Sequence, residues 1–295
     1  KKIHTGRSRN DQSLTMIRLF LKDQIMVSQN HMEALIGALS EKSSSITPMP
    51  GYTHMQKAMP TTVGIWFASY RDALLDQMAF LPPLASIIDQ SPLGSAAWFG
   101  IENFPNDRAL SAELMGFAKV QENPLYCGLS RWLFEHNFLW VLWNFLLILW
   151  RFNNDLLLFT TGEFSYFSLP DNMTTGSSIM PQKRNYDVLE LIRAKISLFF
   201  GYHDQMRNLY THLISGYQRD LQMTKTIFLS GCKIWNDMVQ IMTHIIKELQ
   251  INEARLNASM TTDLFATEEV YKLVAQWKPF RDAYSEVKQK LFSPK

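Results

Sequence analysis

The sequence has 295 residues and a mass of 34.2 kDa, which is enough for one large domain or two small ones. Its formal net charge is +2 and its pI is near 8.4, so nothing favours nucleic acid or a membrane surface as the main partner. Two cysteines, Cys127 and Cys232, exclude a disulfide framework, and their apolar surroundings predict buried free thiols in a reducing cytoplasm. The polar start of the chain predicts no secretory signal.

Long helical stretches dominate the chain. In the first, residues 11–43, apolar residues recur at three- and four-residue spacing, and a serine run followed by two prolines ends it. The same reasoning predicts helices at 62–80, 107–117, 128–162, 186–213, 219–249, 268–276 and 280–291, with Asn252 capping another. No stretch reads as a β-hairpin. Helices of ~30 residues exceed the usual 10–14, so an all-α fold built on a long central helical bundle is predicted.

Residues 138–150 are almost wholly apolar. As a helix they extend about 20 Å, which is short of the ~30 Å hydrocarbon layer of a membrane. Charged and polar residues flank the segment on both sides. We therefore expect a helix buried on all sides, inside a bundle or at a subunit interface.

Residues 4–12 read His-Thr-Gly-Arg-Ser-Arg-Asn-Asp-Gln, immediately before the first long helix. Asn10 or Asp11 could cap that helix. Capping does not explain Arg7 and Arg9, because cations oppose the dipole at a helix start. Basic side chains beside free backbone N–H groups favour a cradle for carboxylates.

Residues 47–60 place His54 among polar groups in a turn that prolines make rigid. A loop histidine is commonly structural, but a rigid loop also suits proton transfer near neutral pH.

Residues 176–185 read Gly-Ser-Ser-Ile-Met-Pro-Gln-Lys-Arg-Asn. The Gly-Ser-Ser start permits a tight turn with N–H groups pointing one way, and Lys183 and Asn185 add a charge and an amide. An anion-binding loop is predicted, with an ordinary surface loop as the alternative.

The 176–185 segment resembles the signature loop of the fumarase/aspartase superfamily. Thr-Gly-Arg-Ser-Arg-Asn-Asp-Gln at 5–12 is similar to the first signature of the argininosuccinate lyase family, and 51–56 is similar to the second. Residues 92–97 and 216–222 also look like theirs, so the resemblance runs from residue 4 to about residue 285. It implies a homotetramer in which each site is built from three subunits.

The resemblance also implies three units along the chain. Residues 1–8 would be a remnant of the N-terminal domain, 9–255 the central helical bundle with the active-site motifs, and 256–295 a partial C-terminal helical domain. We expect this chain to lack the rest of both outer domains and to be inactive, or nearly so, by itself.

The implied reaction is cleavage of argininosuccinate to arginine and fumarate by base-catalysed elimination, in arginine biosynthesis. Two alternatives stay open. One is another fumarate-releasing lyase of the superfamily, such as adenylosuccinate lyase. The other is a non-catalytic, crystallin-like structural protein on the same scaffold.

Matching the family motifs implies four catalytic residues. Ser177 would be the base, with Ser178 as the alternative, and Lys183 would stabilise the carbanion. His54 would be the acid that protonates the leaving nitrogen, and Glu190 would orient it. The implied substrate-binding residues are Ser8, Arg9, Asn10, Thr53, Gln56, Ser178, Asn185, Tyr217, Gln222 and Lys225.

The remaining histidines have no metal-ligand spacing and no cofactor fingerprint occurs, so neither a metal nor a cofactor is predicted. Two departures from the family pattern stand out. In the region 123–132, Asn123 and Arg131 are retained, but Pro124 replaces the usual serine. In the signature loop, Lys-Arg-Asn-Tyr at 183–186 replaces Lys-Lys-Asn-Pro, a change we expect to be tolerated.

Overall fold

The computed structural model describes residues 4–292. Within them lie eleven α-helices: α1 (Arg9–Lys42), α2 (Val63–Met78), α3 (Leu81–Ile88), α4 (Arg108–Leu114), α5 (Pro124–Leu129), α6 (Leu133–Phe159), α7 (Asp187–Asn208), α8 (Thr224–Glu248), α9 (Glu253–Ala258), α10 (Ala266–Ala275) and α11 (Phe280–Phe292). Short strands accompany them: β1 (Pro48–Thr53), β2 (Gln56–Thr62), β3 (Gln90–Ser91), β4 (Lys119–Val120), β5 (Phe167–Ser168), β6 (Thr175–Gly176), β7 (Arg184–Asn185) and β8 (Gln250–Ile251). The predicted all-α fold class is confirmed, since each sheet among these residues has only two strands.

Five long helices form the bundle that supports the site. Helix α1 packs against α2 and α8, while α6 packs against α2, α7 and α8. Each helix gives large side chains to one shared core, for example Leu21, Phe67, Phe138, Phe199 and Trp235, all fully buried. Burying such a side chain contributes about 1.5–3 kcal/mol to folding, so the bundle is a rigid frame for the segments at its ends.

Helix α6 contains the apolar segment. By length and composition it could cross a membrane, the one such helix in residues 4–292, but half of its most apolar window is buried inside the protein. Phe138 and Leu142 are fully buried, as expected of a core helix. Trp140 and Leu147 are 41% and 39% exposed, so one copy alone does not bury the helix on all sides, and its burial at a subunit interface stays a prediction.

Two helix boundaries differ from the sequence prediction for local reasons. Pro82 and Pro83 do not simply end a helix; they lie in the first turn of α3, where a missing N–H costs no hydrogen bond. The stretch predicted as one helix at 128–162 is two helices, α5 and α6. They are separated at Trp132, whose φ of +87° is incompatible with a continuous helix.

Strands β1 and β2 form an antiparallel hairpin, which the sequence analysis wrongly excluded. Thr53 pairs with Gln56, so the turn is only His54 and Met55. Prolines at 48, 50 and 60 disguise the strands, because proline cannot donate to a ladder. A two-stranded hairpin tolerates them because each strand has an edge free of ladder hydrogen bonds.

The start of α1 is also corrected by the structure. Ser8, rather than Asn10 or Asp11, is the N-cap, and its Oγ accepts a hydrogen bond from the Asn10 N–H at 3.2 Å. The Asp11 carboxylate accepts one in return from the Ser8 N–H at 2.8 Å. This reciprocal capping box begins the helix at Arg9, two residues earlier than the sequence prediction.

The Asp11 side chain is fully buried and also binds a distant loop. Its Oδ2 accepts hydrogen bonds from the Gly94 and Ala96 N–H groups at 3.0 and 2.9 Å. Gly94, Ala96, Trp98 and Gly100 all have positive φ, alternating with residues of negative φ. Such alternation points successive N–H groups the same way and favours an anion between them. Asp11 therefore fixes residues 94–100 against the first turn of α1.

The C-terminal helices have a small core of their own. Val270, Ala283 and Val287 are buried between α10 and α11, apart from the core of the bundle. The three-unit division at residues 8 and 255 stays a prediction. Residues 1–3 and 293–295 of its outer units lie outside the described part of the chain.

We expect Asp11→Ala to lower the free energy of unfolding by about 3 kcal/mol, because buried N–H groups at residues 94 and 96 lose a charged acceptor. Urea denaturation at fixed protein concentration measures this. Asp23, exposed on the same helix, is the matched control, and Asp23→Ala should change stability by less than about 0.5 kcal/mol. Equal effects of the two substitutions would contradict the role assigned to Asp11.

Candidate active site

A polar pocket of about 340 Å³ lies at one end of the bundle. It brings together three parts of the chain: the first turns of α1, the turn before α6 and the entry to α8. The residues lining it are Arg9, Asn10, Ser13, Arg131, Tyr217, Gln222 and Lys225. Three of them are cations and none of these lining residues is acidic, so the pocket suits a ligand with carboxylates.

Five residues that the sequence analysis placed in substrate binding thus line one pocket: Arg9, Asn10, Tyr217, Gln222 and Lys225. Ser13 was missed. It lies three residues after Asn10 and four after Arg9, a spacing that puts all three on one helix face and could have predicted it. Arg131 was noted only as retained from the family pattern, because nothing in its local sequence indicates that it faces this pocket.

Contacts inside the pocket hold Tyr217 in place. The Gln222 Nε2 donates a hydrogen bond to the Tyr217 hydroxyl at 2.9 Å. The Arg131 guanidinium lies 5.7 Å from the centre of the Tyr217 ring, and its Nη2 donates to the Leu221 carbonyl at 3.2 Å. The Trp98 ring packs on Tyr217 with centroids 5.2 Å apart. These contacts fix the tyrosine hydroxyl and the arginine at adjacent points of the wall.

Buried charges lie behind the pocket. Burial lowers the pKa of Arg131, partly offset by Tyr217 and Glu135. Burial likewise lowers the pKa of Arg18 to about 10, so Arg18 remains cationic at neutral pH. Burial raises the pKa of Glu135, while Arg18, Arg131 and hydrogen bonds from the Glu135 and Trp132 N–H groups oppose that rise. The pocket wall therefore keeps its positive charge without an exposed counter-ion.

Ser8 does not line this pocket. Its hydroxyl accepts the capping hydrogen bond of α1, which gives it a structural task beside the site. The expected substrate contact of Ser8 stays a prediction.

The predicted acid, His54, lies exposed at the tip of the β1–β2 hairpin, with Thr53 and Gln56 beside it. His54 and Met55 have φ of +52° and +62°, as in a type I′ turn. Type I′ turns favour Asn-Gly, because these residues adopt positive φ at little cost. His and Met do not, so the backbone of this turn is strained. Strained non-glycine residues cluster at functional sites, and this turn presents the imidazole to solvent in a fixed backbone geometry.

The signature loop is closed by the pairing of β6 with β7. Within it, the Ser177 Oγ accepts hydrogen bonds from the Ile179 and Met180 N–H groups at 3.3 and 3.1 Å. N–H donors aimed at an oxygen stabilise its anionic form, which is what a basic serine would require. Ser178 and Lys183 are exposed in the same loop.

Two further predicted residues flank this loop. The Asn185 Nδ2 lies 3.4 Å from the Gly176 carbonyl, to which it donates. Glu190 is exposed in the first turn of α7. Among the described residues the structure gives Glu190 no ion pair with His54.

One copy of the chain places the pocket far from the hairpin and from the signature loop. Helix α1 has 34 residues and is about 50 Å long, with the pocket at its start and the hairpin after its end. Consistently, Arg131 precedes the first residue of α6, while Tyr52 of the hairpin packs on Phe159, its last residue. The loop directly precedes α7, and Glu190 lies in the first turn of that helix. The Leu189 carbonyl of the same turn accepts a hydrogen bond from Asn153, which lies near the C-terminal end of α6 and therefore far from the pocket.

Comparison with known proteins gives concordant results. A family model described as "Lyase" matches residues 1–201. The argininosuccinate lyase of Thermotoga neapolitana is 39% identical over 98% of this chain, which covers 73% of that protein. The chain belongs to the argininosuccinate lyase family. The family member from Bacteroides fragilis is 40% identical over 97% of the chain, and the chain spans 64% of its length.

Solved structures share the fold beyond this family. A structure of EDDS lyase in complex with formate has a TM-score of 0.86 at 24% identity. The match covers 99% of this chain and 59% of the EDDS lyase chain. The class II fumarase from Schistosoma mansoni has a TM-score of 0.80 at 19% identity. The match covers 97% of this chain and 68% of the fumarase chain. At such identities these similarities establish the fold.

One departure from the argininosuccinate lyase pattern has a local explanation. Pro124 occupies the first position of α5, where proline is favoured, and Asn123 caps that helix by accepting from the Tyr126 N–H at 3.1 Å. The replaced serine therefore leaves no structural defect at the helix start.

Cys127 and Cys232 are both buried and free, as predicted, and burial raises the pKa of each thiol.

We expect Met55→Gly to raise the free energy of unfolding by about 1 kcal/mol, because glycine adopts the left-handed conformation without strain. Met59, on β2 of the same hairpin, is the control. Met59→Gly should destabilise the protein, since glycine weakens a strand. Denaturant melts of both variants measure the difference. A lower stability of Met55→Gly than of the unsubstituted protein would contradict the strain assigned to the turn.

Proposed function

We propose that the protein is an argininosuccinate lyase of arginine biosynthesis, which cleaves argininosuccinate to arginine and fumarate by base-catalysed elimination. The observation that carries this proposal is 40% identity, over 97% of the chain, to a protein of that name. The cationic pocket supports it independently, because the proposed substrate has three carboxylates.

The pocket gives the substrate its charge complement. Arg9 and Arg131 offer planar guanidinium groups that can bind a carboxylate with two hydrogen bonds, and Lys225 adds a mobile point charge. Asn10 and Gln222 add neutral amide groups for orientation. A dicarboxylate or amino-acid carboxylate is therefore the ligand class that this part of the site accepts.

The chemical difficulty is the removal of a proton from the carbon beside a carboxylate, which adds charge to an anion. Positive charge must be present where the carbanion develops, and Lys183 with the loop N–H groups has that role in the proposal. Ser177 is the proposed base. Its two N–H donors favour the alkoxide, and exclusion of water by a closed loop would favour it further.

His54 is the proposed acid for the leaving guanidino nitrogen, and Glu190 is proposed to orient and charge it. Thr53, Gln56, Ser178 and Asn185 are proposed to complete the substrate contacts. The left-handed turn supports this role of His54, since it presents the imidazole outward with no hydrogen-bond partner among the described residues.

The proposed active form is a homotetramer whose sites are shared between subunits. The support is geometric, because the pocket and the hairpin lie at opposite ends of one copy. The proposed binding partner, apart from other copies of the chain, is a small-molecule substrate. No nucleic acid, membrane or cofactor is part of the proposal. A cytoplasmic location is proposed as well.

The test is fumarate release by the full-length protein, followed by ultraviolet absorbance with argininosuccinate and, separately, adenylosuccinate. We expect activity with argininosuccinate alone. Ser177→Ala should lower kcat by about 10²–10⁴-fold, because the base is lost. Ser197→Ala, at an exposed serine on α7, should leave kcat unchanged.

The other outcomes choose between the alternatives. Cleavage of adenylosuccinate alone would identify a different lyase. Binding of argininosuccinate with no fumarate released would indicate a crystallin-like scaffold. If Ser178→Ala abolished turnover and Ser177→Ala did not, the role of base would pass to Ser178.

A further inference from the structure

The pocket wall that contains Tyr217 and Gln222 has little regular structure. Residues 209–223 connect α7 to α8 and include only one 3-10 turn, Arg219–Gln222. Much of this connection is exposed. A wall of this kind needs contacts with the bundle to keep its side chains at a fixed distance from Arg131.

An aromatic stack ties this connection to the turn that contains Arg131. The Trp132 ring lies face to face with that of Tyr210, with centroids 4.0 Å apart and an interplanar angle of 22°. Trp132 directly follows Arg131, and Tyr210 lies at the start of the 209–223 connection. Below the stack is a small second core of Leu14, Trp98, Cys127 and Leu221, onto which Trp132 and Tyr210 also pack.

The backbone of Trp132 supports a positioning role. Its φ of +87° is costly for a large aromatic residue and is held by a capping box, in which the Glu135 Oε2 accepts from the Trp132 N–H at 3.0 Å. The His136 ring also lies near the indole, with centroids 5.4 Å apart. The conformation persists because ring contacts with Tyr210 and His136 and the hydrogen bond at its backbone N–H over-determine it.

We propose that Trp132 is a positioning residue for substrate binding. Its stack on Tyr210 holds the start of the 209–223 connection on the bundle, and so keeps Tyr217 and Gln222 in place beside Arg131. Trp132 does not line the pocket itself. The inference rests on the proposed function only in that the pocket binds the substrate.

The test compares Trp132→Ala and Trp132→Phe in the full-length protein. Trp132→Ala should raise KM for argininosuccinate about tenfold and change kcat less than about twofold, since the lost contact positions the substrate and takes no part in the chemistry. Trp132→Phe should restore KM to within about threefold of the unsubstituted protein, because a smaller ring still stacks on Tyr210.

Trp277 is the matched control. It has φ of +69° and is 96% exposed, so Trp277→Ala removes an indole from a similar backbone conformation without removing a stack. We expect its KM to be unchanged. Tyr210→Ala should raise KM as Trp132→Ala does, and the double variant should be no worse than either single one, because both remove the same contact.

Hydrogen exchange separates this inference from the proposed function. Amides of residues 209–223 should exchange faster in Trp132→Ala than in Trp277→Ala, whether or not the protein cleaves argininosuccinate. Unchanged exchange there would overturn the inference. So would a Trp132→Ala variant with lower thermal stability but unchanged KM. An unsubstituted protein that releases no fumarate would count against the proposed function alone.

Discussion

The four hydrogen bonds accepted by the buried Asp11 carboxylate are the constraint on which the pocket depends. Two come from the helix start, at Ser8 and Gln12, and two from the loop at Gly94 and Ala96. They place the first turn of α1, with its cradle of polar side chains, against a loop that contains Trp98. Trp98 in turn packs on Tyr217, so one carboxylate links the first turn of α1, through this loop, to a residue on the pocket wall. A buried charge without a cation is stable here because N–H groups satisfy it.

Much of this arrangement could be predicted from the sequence, and the exceptions have physical causes. Apolar periodicity was sufficient for α1, α2, α7 and α8, since their buried faces repeat every three to four residues. The hairpin at 48–62 was missed because its prolines and its His-Met turn carry none of the usual signals for paired strands. The break at Trp132 was missed because a left-handed conformation is unusual for an aromatic residue, and the stack on Tyr210 that helps to hold it is a contact distant in sequence.

The site residues likewise fall into those that the sequence indicated and those that only the structure revealed. The match to the family motifs implied five residues of the pocket, and residue type alone indicated only the cationic cradle that contains Arg9. They did not predict Ser13 or the orientation of Arg131, which depend on packing between α1, α6 and the connection to α8. Strain at His54 and Met55, and the two N–H donors on Ser177, are backbone properties that no residue pattern indicates. They add physical support to roles that had been implied by resemblance alone.

The central claim is that a complete site combines the pocket of one copy with the hairpin of another. Its most direct test is to mix two variants of the full-length protein, Asn10→Ala and His54→Asn, each of which should be nearly inactive. After dissociation and reassembly of a mixture, random association should restore roughly a quarter of the original fumarate release, since some sites then receive both intact residues. No recovery, in mixed assemblies whose composition is verified by mass, would contradict the claim.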